Sequence, residues 1–206
     1  MYIPKYYEEK DWEEIENLIR EFGFATLVSE KDAIPVATHI PLELCKNTTG
    51  DWILVGHGSR ANQQLKSFEN GKDVLAIFMG PHAYVSPSWY NHKNVPTWNY
   101  MAVHVYGKVR IMEGEELKTG LRDMMAKYEN LHAEHPLKMD EIPEQILQKD
   151  FNGLIAFEIK IERFEANSKL SQNRDAESYQ SVIDHLKNSE AYDSKTIAEE
   201  MEKRKK

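Results

Sequence analysis

The chain has 206 residues, 41% of them apolar and 29% charged, a composition that suits a globular protein with a sizeable core and excludes a disordered chain. Lys and Arg number 26 against 34 Asp and Glu, a net charge of −8, so nothing draws the whole molecule to nucleic acid and any such contact must rest on a local basic patch. The single Cys45 excludes an internal disulfide framework, no apolar run approaches the ~18 residues of a membrane span, and the acidic, aromatic start MYIPKYYEEKDW is unlike a signal peptide; the expectation is a soluble protein of a reducing cytoplasm with no membrane partner.

Asp11, with Glu14 three residues on, predicts a helix N-terminus of the capping-box type. Ile15, Leu18, Ile19 and Phe22 recur at helical spacing, and Gly23 stops the segment. β-forming residues over 24–29, a turn at Lys31-Asp32 and a second extended run over 34–44 predict a hairpin. A turn at 47–51 leads into a third strand over 52–55, then Gly56-His57-Gly58-Ser59-Arg60, then a short helix to about Glu69. The continuous apolar run over 74–79 predicts a strand buried on both faces. Residues 80–99 carry three prolines and four aromatics and predict a long functional loop.

Over 98–112 Trp98, Tyr100, His104 and Tyr106 share one face, while Met101, Val103 and Val105 share the other. Gly107 in this run marks a bulge or a close backbone approach. A helix over 115–132, a connector over 135–143 and a short helix to Lys149 follow. The clearest strand is 153–164, where Ile155, Phe157, Ile159 and Ile161 alternate with Glu158, Lys160 and Glu162; one dry and one wet face predict an antiparallel or mixed sheet. Residues 167–174 are polar and irregular, and helices over 175–188 and 193–204 end the chain. Without βαβ alternation, this order predicts a mainly β, α+β protein: a small closed or nearly closed β-barrel with peripheral helices.

Three stretches carry chemistry. Residues 56–61 formally match G-x-G-x-x-[GA], but two strands precede them and no acidic residue stands where a ribose contact needs one, so a dinucleotide fold is not expected. The phosphate part survives: Ser59 and Asn62 offer hydrogen bonds, Arg60 a fixed charge, and the following helix a positive end. A plain strand-to-helix turn capped by a small polar residue explains the same residues equally well. The stretch Ser86 to Tyr100 sets aromatic rings between prolines, a rigid wall for a flat ligand or a seal at a barrel end. Lys169 to Arg174 is a dense run of donors of the kind a flavin ring's polar edge requires, or a solvated loop before a helix. The eight histidines, His132 and His135 among them, form no recognised ligand motif, and no metal is expected.

As an ordered set, MYIPKYY at 1–7, ATLVS at 25–29, ATHIPLEL at 37–44, GHGSRANQQ at 56–64, VLAIFMGPHAYVSPSWY at 74–90, VPTWNYMAVHVYGKV at 95–109 and KLSQNR at 169–174 resemble the PaiB-type family of FMN-binding negative transcriptional regulators. The resemblance runs to about residue 188. It implies a split β-barrel of the pyridoxamine-phosphate-oxidase-like kind, a homodimer, and FMN as cofactor. It further implies that Ser59-Arg60, with Asn62 in support, hold the flavin phosphate, that Ser171-Gln172 approach the ring, that His39 and Thr97-Trp98-Asn99 line the same cleft, and that His57 is among the cofactor-binding residues. The oxidase relatives carry a basic pair where Ala37-Thr38-His39-Ile40 stands here, so pyridoxal chemistry is not carried over.

The same resemblance implies repression of sporulation and degradative-enzyme genes, with promoter DNA as a partner. The division expected is a flavin-binding split barrel over 1–174 and a helical appendage over 175–206; Arg174 at the boundary and the appendage's Lys195, Lys203, Arg204, Lys205 and Lys206 are the candidate DNA contacts. An FMN-dependent oxidoreductase of the same barrel class is the alternative, and a haem-binding protein the third reading. No catalytic acid or base is assigned.

Overall fold

The structure, a computed structural model, describes residues 1–205. Six strands, β1 (Phe24–Lys31), β2 (Ile34–Lys46), β3 (Trp52–Ser59), β4 (Asp73–Val85), β5 (Thr97–Met112) and β6 (Leu154–Lys169), form one closed sheet in the order β1-β2-β3-β6-β5-β4. The helices are α1 (Trp12–Glu21), α2 (Gln63–Lys66), α3 (Gly114–His132), α4 (Glu144–Gly153), α5 (Ala176–Lys187) and α6 (Tyr192–Lys203). The barrel expected from the order of elements is the fold found.

Contacts divide the chain into two compact units, one of residues 23–77 and 105–164, the other of residues 1–22, 78–104 and 165–205. In the first, β1 and β2 pair antiparallel with Thr26 opposite His39, and β3 pairs antiparallel with β2 and β6. The hairpin turns on Asp32 and Ala33, both at positive φ (53° and 58°), the paired left-handed geometry that a two-residue hairpin needs. Leu27, Leu42, Leu54, Leu65, Phe157 and Ile159 are fully buried here, and Phe68 meets Phe157 edge to face at 5.2 Å. Gly107 is a close approach: a Cβ there would lie 2.2 Å from the Lys160 carbonyl oxygen.

In the second unit Asp11 caps α1 by accepting from the Glu13 amide. The N-terminal segment is fixed as a short strand-like strap, bridging Glu8 to Asn167, with Ser168 N–H donating to the Tyr7 carbonyl at 2.8 Å and Glu9 N–H to Ala166 at 3.0 Å. α5 and α6 pack on each other; Val182, Ile183, Leu186, Ile197, Ala198 and Met201 on them are buried, and the Tyr179 hydroxyl donates to the Met201 carbonyl at 2.8 Å. The Arg204 guanidinium reaches Glu9, Glu14 and Glu200.

Four sequence expectations are corrected. Residues 80–85 are not loop: β4 runs through them to Val85, and only 86–96, with a short 3-10 turn at Pro87–Trp89, is irregular. The 74–79 run is not buried on both faces, because Val74, Ala76 and Phe78 are buried while Met79 is 48% exposed. β6 extends to Lys169, paired at its end by the N-terminal strap, which the polarity of 167–169 concealed. The helix after Arg60 has only four residues, so it lends little of the dipole expected at Ser59.

Candidate functional site

The candidate residues fall in the two units and are described in each. In the first, β3 ends at Ser59 and the chain turns through Arg60 into Asn62, the N-cap of α2. Asn62 Oδ1 accepts from the Gln64 and Leu65 amides, and its Nδ2 donates to Thr38 Oγ1 at 3.0 Å. Gln64, nearly buried, ties the turn to the hairpin: its Nε2 donates to the Leu27 carbonyl at 2.9 Å, Ser29 Oγ at 3.0 Å and the Val36 carbonyl at 3.3 Å, and its Oε1 accepts from Thr38 at 2.6 Å. Through this network the Asn62 side chain holds the turn.

Ser59 and Arg60 stand exposed at the turn. Ser59 Oγ accepts from the Ala61 amide at 3.1 Å, which leaves its hydroxyl hydrogen for a ligand. Arg60 donates from Nε to the Asn152 carbonyl at 3.1 Å and from Nη2 to the Leu154 carbonyl at 2.8 Å. Those two bonds fix the guanidinium without neutralising it, and Nη1 remains to donate. A fixed cation beside an open hydroxyl fits a phosphate group. His57 on β3 is half-buried, and burial pushes its imidazole below the ordinary range. His39 is exposed on β2, stacked on Phe24 at 6.4 Å with Nδ1 3.1 Å from Thr26 Oγ1.

In the second unit a cavity of about 320 Å³ gathers Thr97, Asn99 and Ser171 with Tyr7, Tyr100, Asn167, Lys169 and Arg174 among its walls. Ser171 is buried and takes a φ of +63°, an uncommon backbone for a residue with a side chain. Its hydroxyl donates to Asn99 Oδ1 at 3.0 Å, and Asn99 Nδ2 points to the Met201 sulfur at 3.5 Å. Gln172 lies outside this cavity's walls and closes the turn: its Oε1 accepts from Leu170 N–H at 2.7 Å and its Nε2 donates to the Ser168 carbonyl. Trp98 is 52% exposed, edge-on to Tyr84 at 5.9 Å, and does not line the cavity. With the Ser171 hydrogen given to the buried Asn99, this group keeps the Thr97 hydroxyl hydrogen as a donor and Ser171 Oγ as an acceptor for a flavin's polar edge.

Two wall residues, Tyr7 and Asn167, lay beyond the stretches read from sequence as a site, and Tyr100 stood at the edge of one. Tyr7 and Asn167 come together because the N-terminal strap pairs with the end of β6, a contact across about 160 residues that no local pattern announces, and Asn167 in turn bonds Tyr100 on β5. Lys169 stood inside the KLSQNR run, and its significance appears only with its surroundings. Of the cations considered for DNA, Arg204 is committed to three carboxylates, Lys203 pairs with Glu200 at 2.6 Å, and Lys205 Nζ donates to Gln180 at 2.5 Å. Lys195 is exposed on α6; Lys206 lies outside the described residues.

Residues 1–163 match the family described as "Putative FMN-binding domain". The chain is 44% identical over 202 residues to the protease synthase and sporulation protein PAI 2 of Bacillus subtilis, spanning 98% of this chain and 97% of that one. An uncharacterised protein of Emericella nidulans is 28% identical over 91% of both chains. Among solved structures, a FAD and haem binding protein from Mycobacterium smegmatis aligns with a TM-score of 0.54 at 17% identity, covering 85% of this chain and 79% of that one. The flavocytochrome Anf3 from Azotobacter vinelandii aligns with a TM-score of 0.55 at 16% identity, covering 87% and 78%. At such identities these two bear on the fold alone.

Proposed function

The chain belongs to the FMN-binding domain family, and from that premise we propose that it is a flavin-carrying negative regulator of transcription, acting on protease and sporulation genes. The observation that carries this reading is the end-to-end 44% identity with the Bacillus subtilis protein, whose name ties it to protease synthesis and sporulation. In this reading residues 1–174 hold the cofactor and residues 175–206 meet promoter DNA in the cytoplasm. Ser59 and Arg60 take the FMN phosphate, Asn62 and Gln172 hold their turns, and Thr97 and Ser171, the latter bonded to Asn99, present a donor and an acceptor to the ring. FMN supplies redox chemistry of its own when bound; the protein's part is to bind and orient it.

A homodimer is part of the proposal. Phe24 and Ile34 on the β1–β2 hairpin are 70% and 63% exposed, and His39 and Trp98 are exposed as well. Phe24, exposed and stacked on His39 on one face of the hairpin, supports a subunit interface there, and a second subunit is what would bring His39 and Trp98 against a ligand.

Two measurements test the reading together. Purified protein titrated with FMN should develop a perturbed flavin spectrum, and it should shift promoter DNA in a salt-dependent manner. Flavin binding with substrate turnover, and no DNA shift even at low salt, would replace the regulator by the FMN-dependent oxidoreductase. A Soret band in place of the flavin spectrum would favour haem.

A further inference from the structure

The cavity of about 320 Å³ walled by Tyr7, Asn167, Lys169 and Arg174 is at the small end of ligand pockets and cannot enclose a whole flavin nucleotide. Its electrostatics are one-sided. Lys169 and Arg174 both line it, and no carboxylate does among the described residues. Neither cation has an acidic partner among those residues: Lys169 Nζ donates to the neutral Thr97 hydroxyl at 2.5 Å and lies 6.0 Å from the Tyr7 ring, and Arg174 stacks over the Tyr90 ring at 4.7 Å. Burial, and then the neighbouring Arg174, push the Lys169 ammonium below its ordinary value. Two like charges held in a half-buried pocket without a counter-ion are destabilising unless an anion enters.

A second observation points the same way and sharpens the chemistry. Asn167 is 2% exposed, and its Oδ1 is a buried acceptor with no hydrogen-bond partner. Its Nδ2 donates to the Tyr100 hydroxyl oxygen at 2.8 Å, which leaves the Tyr100 O–H to donate elsewhere. Buried polar atoms are nearly always satisfied, so an orphaned acceptor on a pocket wall asks for a donor that the chain does not provide. The strained backbone of Ser171 beside it is the kind of outlier that accompanies ligand sites.

We propose that this pocket is a ligand site for a small oxyanion carrying its own O–H or N–H, of the hydrogen-phosphate or 2-hydroxycarboxylate class. Lys169, Arg174 and the Tyr100 hydroxyl meet the oxyanion, and Asn167 Oδ1 accepts from the ligand's own donor. The site shares Thr97, Asn99 and Ser171 with the flavin reading but does not rest on it. Lys169, Arg174, Tyr100 and Asn167 carry the anion site by themselves, so the pocket can fill in the absence of FMN.

The test is calorimetric titration of the full chain, with and without FMN, using two matched pairs of probes: glycolate against acetate, and inorganic phosphate against sulfate near pH 7. The expected result is saturable binding in which glycolate and phosphate exceed their donor-less partners by about fivefold or more. Lys169→Met should weaken both by more than about tenfold, and Arg174→Gln should do the same, while each variant keeps its unfolding cooperativity. Equal binding of acetate and glycolate, or anion affinity unchanged in both variants, overturns the proposal. Phosphate competing with FMN but not with riboflavin also overturns it, because the two cations would then belong to the cofactor's phosphate. FMN binding without anion binding sinks this inference alone, and anion binding without FMN binding sinks the flavin reading alone.

Discussion

The Thr38 hydroxyl donates to Gln64 Oε1 at 2.6 Å, and through that bond the turn that carries Ser59 and Arg60 is fastened to the β1–β2 hairpin. Gln64 Nε2 continues the tie to Leu27, Ser29 and Val36, so one buried amide spans two strands from a helix of four residues. Gln64→Ala leaves Thr38 without its acceptor and two strand carbonyls without their donor, which should cost about 2–4 kcal/mol of stability. Urea unfolding of wild type and variant measures it, and a loss under about 1 kcal/mol would mean that water replaces the amide.

Gly107 gives a sharper contrast. Its Cβ position overlaps the Lys160 carbonyl oxygen at 2.2 Å and the Ile159 side chain at 2.7 Å, and the backbone atom cannot yield. Gly107→Ala should cost about 3 kcal/mol. Gly153 ends α4 with nothing within 4 Å of the same position, so Gly153→Ala should be neutral or stabilising by up to about 1 kcal/mol. Thermal unfolding of the pair settles both at once, and equal effects would show that strand packing does not limit position 107.

Alternation and capping made much of this legible in the sequence. Asp11 announced α1, and the Ile155, Phe157 and Ile159 alternation announced β6. What escaped was non-local. The end of β6 is polar because its partner is the N-terminal strap, and no pattern in residues 167–169 records a bridge to Glu8. β4 hid inside a segment read as loop because Gly80 and Pro81 are turn residues by composition, whereas Gly80 is there for close packing on Met101 and Leu18. At the site, residue types were readable but allegiances were not: Asn62 and Gln172 have the chemistry of ligand contacts, and Asn62 bonds the Gln64 amide and the Thr38 hydroxyl while Gln172 bonds the Leu170 amide and the Ser168 carbonyl.

Arg60 is the most direct test of the phosphate assignment. Arg60→Ala removes a charge-assisted contact to a dianion, worth about 1.5–3 kcal/mol, and should weaken FMN by more than tenfold. Riboflavin lacks the phosphate, so its affinity should scarcely change. The substitution also frees the Asn152 and Leu154 carbonyls, which costs about 1 kcal/mol of stability and affects both ligands alike. Fluorescence titration with each flavin separates the two effects; equal losses would move the phosphate away from Arg60.

His57 predicts a pH dependence. Burial depresses its imidazole below the ordinary value of 6.5, so the unfolded chain takes up a proton that the folded chain resists. Stability is then full above the unfolded value and falls as pH drops from about 7 toward the depressed folded value. His104, depressed chiefly by burial as well, acts in the same direction. His57→Gln should retain the neutral-pH stability and show a shallower decline between pH 7 and pH 5.5. Denaturant midpoints at the two pH values decide it, and an unchanged decline would assign the whole dependence to other groups.

The DNA-binding proposal is best tested on surface cations, because α6 is not a removable tail. Ile197, Ala198 and Met201 are fully buried, and Arg204 anchors the helix to Glu9, Glu14 and Glu200, so truncation would open the packed helix pair. Lys195 and Lys205 are exposed, and Lys205 gives up only one bond, to Gln180. Their replacement by Gln should leave unfolding and FMN titration unchanged. Each phosphate contact contributes about −0.9 to the slope of log K against log salt. Two lysines in each of two subunits would make four contacts, and losing them would flatten the slope by about 3.6. The net charge of −8 raises the contrast, since with these cations gone the remaining long-range field repels DNA. Gel shifts of promoter DNA over a salt series measure the slope for both proteins. An unchanged slope would place the DNA surface elsewhere on the molecule. A wild-type protein that binds FMN and never shifts DNA would leave the lysines as solubilising charge and the flavin chemistry as the function.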